Sequence, residues 1–137
     1  MKTLFLFVLI IFCGYSCSLD AQILTIEVRD IPEPEGQLYV AFYASEADFL
    51  KKPFIGFRVA VSDTTLVIPC QGLPAGEYAF SLFQDVNGNG RLDTGALGIP
   101  LEKYAFSNDA EGVMGPPSYK KCCFSLQKDT TLVVHLR

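Results

Sequence analysis

From Gln22 onward, apolar and polar side chains alternate with a period of two, the pattern of strands with one buried face. Leu24, Ile26 and Val28 alternate with Thr25, Glu27 and Arg29. The run Asp30-Ile31-Pro32-Glu33-Pro34-Glu35-Gly36 punctuates the chain before a second strand, Gln37 to Ala44. There Leu38, Val40 and Phe42 alternate with Tyr39, Ala41 and Tyr43. Ser45 to Leu50 predicts one helical turn capped by Ser45 and ended by Pro53. Phe57, Val59 and Val61 predict a third strand, and Leu66, Ile68 and Cys70 a fourth. Tyr78, Phe80 and Leu82 predict a fifth, Cys122, Phe124 and Leu126 a sixth, and Leu132, Val134 and Leu136 a seventh. Turn signals between all of them point to an all-β fold, a seven-stranded antiparallel Greek-key sandwich. Nothing in the pattern has the strand–helix alternation of a parallel sheet.

The first 21 residues break the pattern. Lys2 is followed by the unbroken apolar run Leu4 to Phe12 and a small, polar stretch at Gly14, Ser16 and Ser18. This is the layout of a secretory signal, with cleavage expected after Ala21 and the folded domain at residues 22–137. Nine apolar residues are too few to span a bilayer, which needs roughly 20. The alternative is a lipoprotein with Cys17 as the lipidated residue, although Gly14 stands where such signals carry leucine. Either way the protein is expected in the periplasm, outside the cell or on the envelope, with no transmembrane segment in the mature chain.

Composition narrows the function. The 137 residues carry 11 Lys+Arg against 15 Asp+Glu, a net charge of −4, which disfavours a nucleic-acid binder. One histidine excludes a multi-histidine metal site. His135 falls out of phase with its apolar neighbours and is expected to be solvent-facing and inert.

Most of the candidate chemistry lies in Asp85-Val86-Asn87-Gly88-Asn89-Gly90-Arg91-Leu92-Asp93. It begins like the D-x-[DN]-x-[DN]-G calcium loop. Asp85, Asn87 and Asn89 supply side-chain oxygens at positions 1, 3 and 5. Gly90 allows the turn, Arg91 offers its carbonyl, and Asp93 stands at position 9. Position 12 is Ala96 rather than the bidentate glutamate, and a strand leads in, so this is not an EF-hand. Two carboxylates and two amides predict weak Ca²⁺ binding, unless Glu102, Asp109 or Glu111 completes the shell. The same letters also write an ion-free turn, because Asn-Gly alone accepts the positive φ of a tight bend.

Thr94 to Ser118 is a long segment for a compact domain. It carries Leu97, Ile99, Tyr104, Phe106 and Met114, with Tyr119 just beyond, and is expected to fold over one edge or end of the sandwich. Tyr104, Phe106, Asn108, Met114 and Tyr119 make it the candidate surface for a ligand or an envelope protein. Cys70 and Cys122 share phase with inward residues and are the candidate disulfide; buried free thiols are the alternative. No nucleophile–base motif is visible. A hydrolase built on Asp85, Asp93 or Asp109 would need two carboxylates held close with one pKa raised.

One resemblance gathers several of these runs. Gly72-Leu73-Pro74-Ala75-Gly76-Glu77-Tyr78 resembles a turn and strand of transthyretin-like, or prealbumin-like, sandwiches. Together with Asp85 to Asp93, Leu97-Gly98-Ile99-Pro100, Tyr104-Ala105-Phe106-Ser107-Asn108 and Gly115-Pro116-Pro117-Ser118, it resembles the exported bacterial family called domain of unknown function 2141. The resemblance spans residues 22–137 and implies a small exported sandwich without implying a reaction. The ring-hydrolysing relatives of transthyretin need several histidines and a characteristic C-terminal tetrapeptide, which this chain lacks.

Overall fold

A computed structural model of the chain describes residues 21–137, so the expected signal lies outside the described residues save for Ala21. Eight strands form two sheets. They are β1 (Leu24–Arg29), β2 (Gln37–Tyr43), β3 (Ile55–Ala60), β4 (Leu66–Cys70), β5 (Gly76–Asp85), β6 (Tyr104–Phe106), β7 (Phe124–Leu126) and β8 (Thr130–His135). The order β4-β1-β8 makes a three-stranded sheet, and β3-β2-β5-β6 with β7 also on β5 makes a five-stranded one. The chain crosses between the sheets after β1, β3, β4 and β7.

Two expectations need correction. There are eight strands rather than seven, because β6 lies inside the segment expected to be a long loop. Its three residues are too few to show a period. The ladder is also not wholly antiparallel, since β1 pairs β8 in parallel, with Ile26 opposite Leu132 and Val28 opposite Val134.

The core lies where the alternation places it. Leu24, Ile26 and Val28 from β1, Ile68 from β4 and Val134 from β8 face Leu38, Val40 and Phe42 from β2. Phe80 and Leu82 from β5, Ala105 from β6, and Phe124 and Leu126 from β7 complete the layer. Phe42 meets Phe80 edge-on at 5.6 Å between ring centroids, and Phe124 meets Phe80 likewise at 6.0 Å. Removing such a ring from a close-packed interior typically costs about 3–5 kcal/mol.

β5 is the longest strand, and its two edges are paired differently. β2 runs along one edge from Ala79 to Asp85. The other edge is shared, with β6 on Ser81 to Phe83 and β7 on Gly76 to Tyr78. Phe80 falls in the gap between the two. There the buried Ser107 hydroxyl replaces a strand, accepting from Phe80 N–H at 2.9 Å and donating to the Cys122 carbonyl at 2.6 Å. The segment after β6 turns here through Asn108 and Asp109, both at positive φ, which Asn and Asp tolerate better than other non-glycine residues. As a result, three consecutive side chains clasp three elements. Ser107 holds β5, Asn108 donates to the Lys121 and Cys123 carbonyls, and Asp109 reaches β8.

Cys122 is therefore not on a strand. It ends the short helix α1 (Tyr119–Cys122) that precedes β7. Cys70 belongs to the main core and Cys122 to a second cluster with Ala79 and Phe106. The expected bridge is absent, and both are buried free thiols. Burial pushes each up to about 11, so both stay protonated at neutral pH and pack as small hydrophobes. The expected helical turn at Ser45 to Leu50 is a hydrogen-bonded turn, with Ser45 Oγ accepting from Asp48 N–H as the expected cap.

Candidate functional site

The outer face of a two-sheet fold normally meets water with polar side chains. The three-stranded sheet follows that rule in part: Thr25, Glu27 and Arg29 on β1 and Thr131 and His135 on β8 face outward, with Val67 and Pro69 on β4 and Val133 on β8 beside them. The five-stranded sheet does not. Its central outward positions are Tyr39, Ala41 and Tyr43 on β2, Ala79, Ser81 and Phe83 on β5, and Tyr104 and Phe106 on β6, with Gln37, Arg58 and Glu77 at the margins.

Part of this apolar face is covered. Phe49, from the turn after β2, meets Tyr43 at 5.3 Å and Tyr119 of α1 at 5.6 Å. Around them pack Ala79, Phe106, Cys122 and Ala110. Burial, and then the neighbouring Cys123, pushes the Tyr119 hydroxyl up to about 12.

The rest is open. Strand register aligns Arg58, Tyr39, Phe83 and Tyr104 in one row across four strands. The adjacent row is Gly56, Ala41 and Ser81, ending at Phe106. Beyond it stands Tyr43, whose hydroxyl lies 3.4 Å from that of Ser81. The small residues therefore floor a trough, and the rings of Tyr39, Phe83 and Tyr43 wall it. Residues two apart on a strand are about 6.8 Å apart, so the trough is wide enough for a flat ring. Its volume is about 440 Å³, within the range of small-molecule sites. Tyr39 and Phe83 are stacked at 5.2 Å with planes 11° apart, which fixes that wall. Arg58 leans on it, with Nη1 at 3.5 Å from the Tyr39 hydroxyl.

The turn leading out of β5 borders this face, with Gly90 close to the Tyr39 hydroxyl. Asp85 is buried, and its two oxygens accept from Gly88 and Gly90 N–H at 2.9 and 2.8 Å. Asn87 Oδ1 accepts from Asn89 N–H, and Asn89 Oδ1 from Arg91 N–H, each at 3.1 Å. Both amide side chains donate to Asp93, from Asn89 at 2.7 Å and also from Asn87. The Asn87 bond, followed by the Asn89 bond, holds the Asp93 carboxyl below the usual range. The expected ligands are thus brought together. Each of their oxygens uses one lone pair on an N–H and keeps another. An all-oxygen set of two carboxylates, two amides and the Arg91 carbonyl suits a hard cation. Among the described residues, no three His, Cys, Asp or Glu side chains converge on one point, so the turn is poor in charge. Of the three distant carboxylates, only Glu102 joins it, accepting from Val86 and Asp93 N–H at 3.3 and 3.1 Å.

Asp109 and Glu111 are engaged elsewhere. Asp109 takes the His135 backbone N–H and ring Nδ1, each at 2.9 Å, and Arg137 at 3.1 Å. Glu111 pairs with Arg137 at 3.0 Å. Burial raises the Asp109 carboxyl, but these donors outweigh it and leave the group below its ordinary value. His135 is therefore hydrogen-bonded to Asp109 rather than free in solvent.

The expected ligand surface on the long segment is dispersed. Tyr104, Phe106 and Tyr119 pack beneath or beside the cover, and Asn108 spans two carbonyls. Met114 stands fully exposed, as does Leu97, both at positive φ. The groove residues were overlooked because aromatic residues on strands read most simply as core. The overlooked signal is β2 itself, where no charged residue occurs between Gln37 and Tyr43 on either face.

Among known proteins, the chain matches the family model described as an uncharacterized protein conserved in bacteria, DUF2141, over residues 26–133. The chain belongs to that family. Comparison with curated proteins and with solved structures gives no match.

Proposed function

We propose that this family member is an exported, non-enzymatic binding module. It is a Greek-key, transthyretin-like sandwich that takes its ligand or envelope partner on the outer face of the five-stranded sheet. One observation carries the reading: an outward sheet face left apolar, half covered by the chain's own Phe49 and Tyr119, half open as the Tyr39–Tyr43 trough. Leaving aromatic side chains in water forgoes stabilisation that covering them would supply, about 1.5–3 kcal/mol for a fully buried large side chain. The parallel β1–β8 pair and the four crossings between sheets support the topology. A non-enzymatic role is supported by the carboxylates. Asp93 and Asp109 sit in separate hydrogen-bond networks and both are held low, whereas a general acid needs a raised pKa.

The test is amide chemical-shift mapping of the full chain, purified from a bacterial periplasm and titrated with benzoate, indole and glucuronate. Binding of any of them should move Tyr39, Ala41, Gly56, Arg58 and Ser81. Shifts confined to β1, β4 and β8, or none from any compound, overturn the reading. The mass of the same preparation reports export, with Gln22 expected as its first residue.

A second reading concerns the turn, where Asp85, Asn87, Asn89 and Asp93 are brought into one oxygen-rich loop, with Asn87 and Asn89 aiming their amide N–H groups at Asp93. Asp85, Asn87, Asn89, Asp93 and the Arg91 carbonyl hold a weak Ca²⁺ that tightens this border of the trough. Calorimetry should give binding in the 10⁻⁴–10⁻³ M range typical of extracellular calcium modules. Heat absent at millimolar Ca²⁺, with an unchanged melting temperature, removes calcium from the account and leaves a hydrogen-bonded turn.

A further inference from the structure

We infer that the trough selects small ligands that combine a flat ring with an acidic group, and that Arg58 is the residue that reads the acid. This deepens the proposed binding role and rests on it. The argument begins with position. Arg58 stands at the β3 end of the row whose next two members are the stacked Tyr39 and Phe83 rings. β3 is the edge strand of its sheet, so the trough opens to solvent beside the guanidinium. Gly56, directly across from Ala41, leaves that entrance without a side chain.

Charge supplies the second part. Among the described residues Arg58, like Arg91 on the turn, has no carboxylate within ion-pair distance, whereas Arg29 and Arg137 are both paired. Its one polar side-chain neighbour, the Tyr39 hydroxyl at 3.5 Å, is neutral and distant. The guanidinium fork therefore keeps donors for a carboxylate, sulfonate or phosphate, which arginine grips in a planar two-point contact.

The walls supply the third. A ring entering over Ala41 and Ser81 meets Tyr39 and Phe83 on one side and Tyr43 on the other. Aromatic walls favour flat apolar bodies in offset or edge-on contact. The floor offers one polar mark, the Ser81–Tyr43 hydroxyl pair, at the end away from Arg58. A ligand with an acid at one end and a flat ring behind it matches all three features. A long aliphatic acid would match only the first.

Two fluorescent probes separate these features. 8-Anilinonaphthalene-1-sulfonate carries rings and an acid, and N-phenyl-1-naphthylamine carries the same rings without it. Both are titrated into the full chain and into Arg58→Ala and Arg58→Lys, with far-UV circular dichroism confirming the fold. Arg58 is exposed, so its variants should fold like the parent. The sulfonate should bind saturably and more tightly than the neutral probe. Arg58→Ala should weaken the sulfonate about tenfold or more, as expected for loss of a charge-assisted contact, and leave the neutral probe within twofold. Arg58→Lys should recover part of the loss. If the sulfonate loses nothing in Arg58→Ala, or binds no better than the neutral probe, the inference is overturned while the trough survives as a binding site. If neither probe binds, the inference falls and so does the trough's role as a small-molecule site.

Discussion

The two outer faces of this sandwich are made from the same pleated backbone but differ in where their aromatic rings lie. On the three-stranded sheet, Thr25, Glu27, Arg29, Thr131 and His135 face outward beside Val67, Pro69 and Val133, with no Phe or Tyr among them. On the five-stranded sheet, aromatic and small side chains face outward, as though a further layer belonged there. The chain supplies half of that layer through Phe49, Tyr119 and Cys122. The difference teaches that alternation alone does not tell a polar outer face from an aromatic one; the composition of the outward set does.

Substitutions on the two faces should therefore differ in cost. The largest effect is expected at the seam between covered and open halves. Ser107→Ala strips the partner from the buried Phe80 N–H and the Cys122 carbonyl. Unsatisfied buried groups cost about 1–3 kcal/mol each, so urea unfolding should show a loss of roughly 3 kcal/mol. A loss below about 1 kcal/mol would mean that the seam is not what holds the cover. Next comes Phe49→Ala, which uncovers Tyr43 and Phe106. With its ring half-buried, roughly 1.5 kcal/mol is expected from the same titration.

A smaller effect ties the cover to β8 through Asp109. Its carboxyl is held below the unfolded value of about 3.9 by the His135 and Arg137 donors. A depressed folded pKa adds stability that is fully present above the unfolded value and is lost as pH falls through the folded one. Stability of the parent should thus decline as pH drops below about 4. Asp109→Asn should be less stable at pH 7 and flatter over that acid window. An unaltered acid limb would show that the pair does not contribute. The smallest effect belongs to the polar face. Glu27→Ala breaks only the exposed Arg29 pair and should change stability by less than about 0.5 kcal/mol.

How much of this was legible in the sequence follows from range. Period-two alternation reports which residues share a face, so β1, β2, β4, β5 and β8 and most of the core were readable from Leu24, Leu38 or Val134 and their neighbours. It says nothing about which strand lies beside which, and the parallel β1–β8 pair came only with the structure. β6 was hidden because Tyr104–Phe106 is short and becomes a strand only by pairing with Ser81 to Phe83. Cys122 continued the phase of Phe124 and Leu126 on paper, but the helical turn at Tyr119 removed it from their face. The acidic turn was readable because it is local, with Asp85 satisfying amides three and five residues on. The trough was not, because Arg58, Tyr39 and Phe83 are distant in sequence and meet only through register.

The central claim is that binding belongs to one outer face and not the other. It is tested most directly by filling each in turn. Gly56→Leu places a side chain over the trough floor, close to the Val40 carbonyl, and Thr131→Leu puts the same side chain on the exposed face of β8. Titration of both variants with 8-anilinonaphthalene-1-sulfonate should show affinity reduced about tenfold or more by Gly56→Leu and unchanged by Thr131→Leu. Equal affinities in the two variants, or a loss confined to Thr131→Leu, would contradict the account.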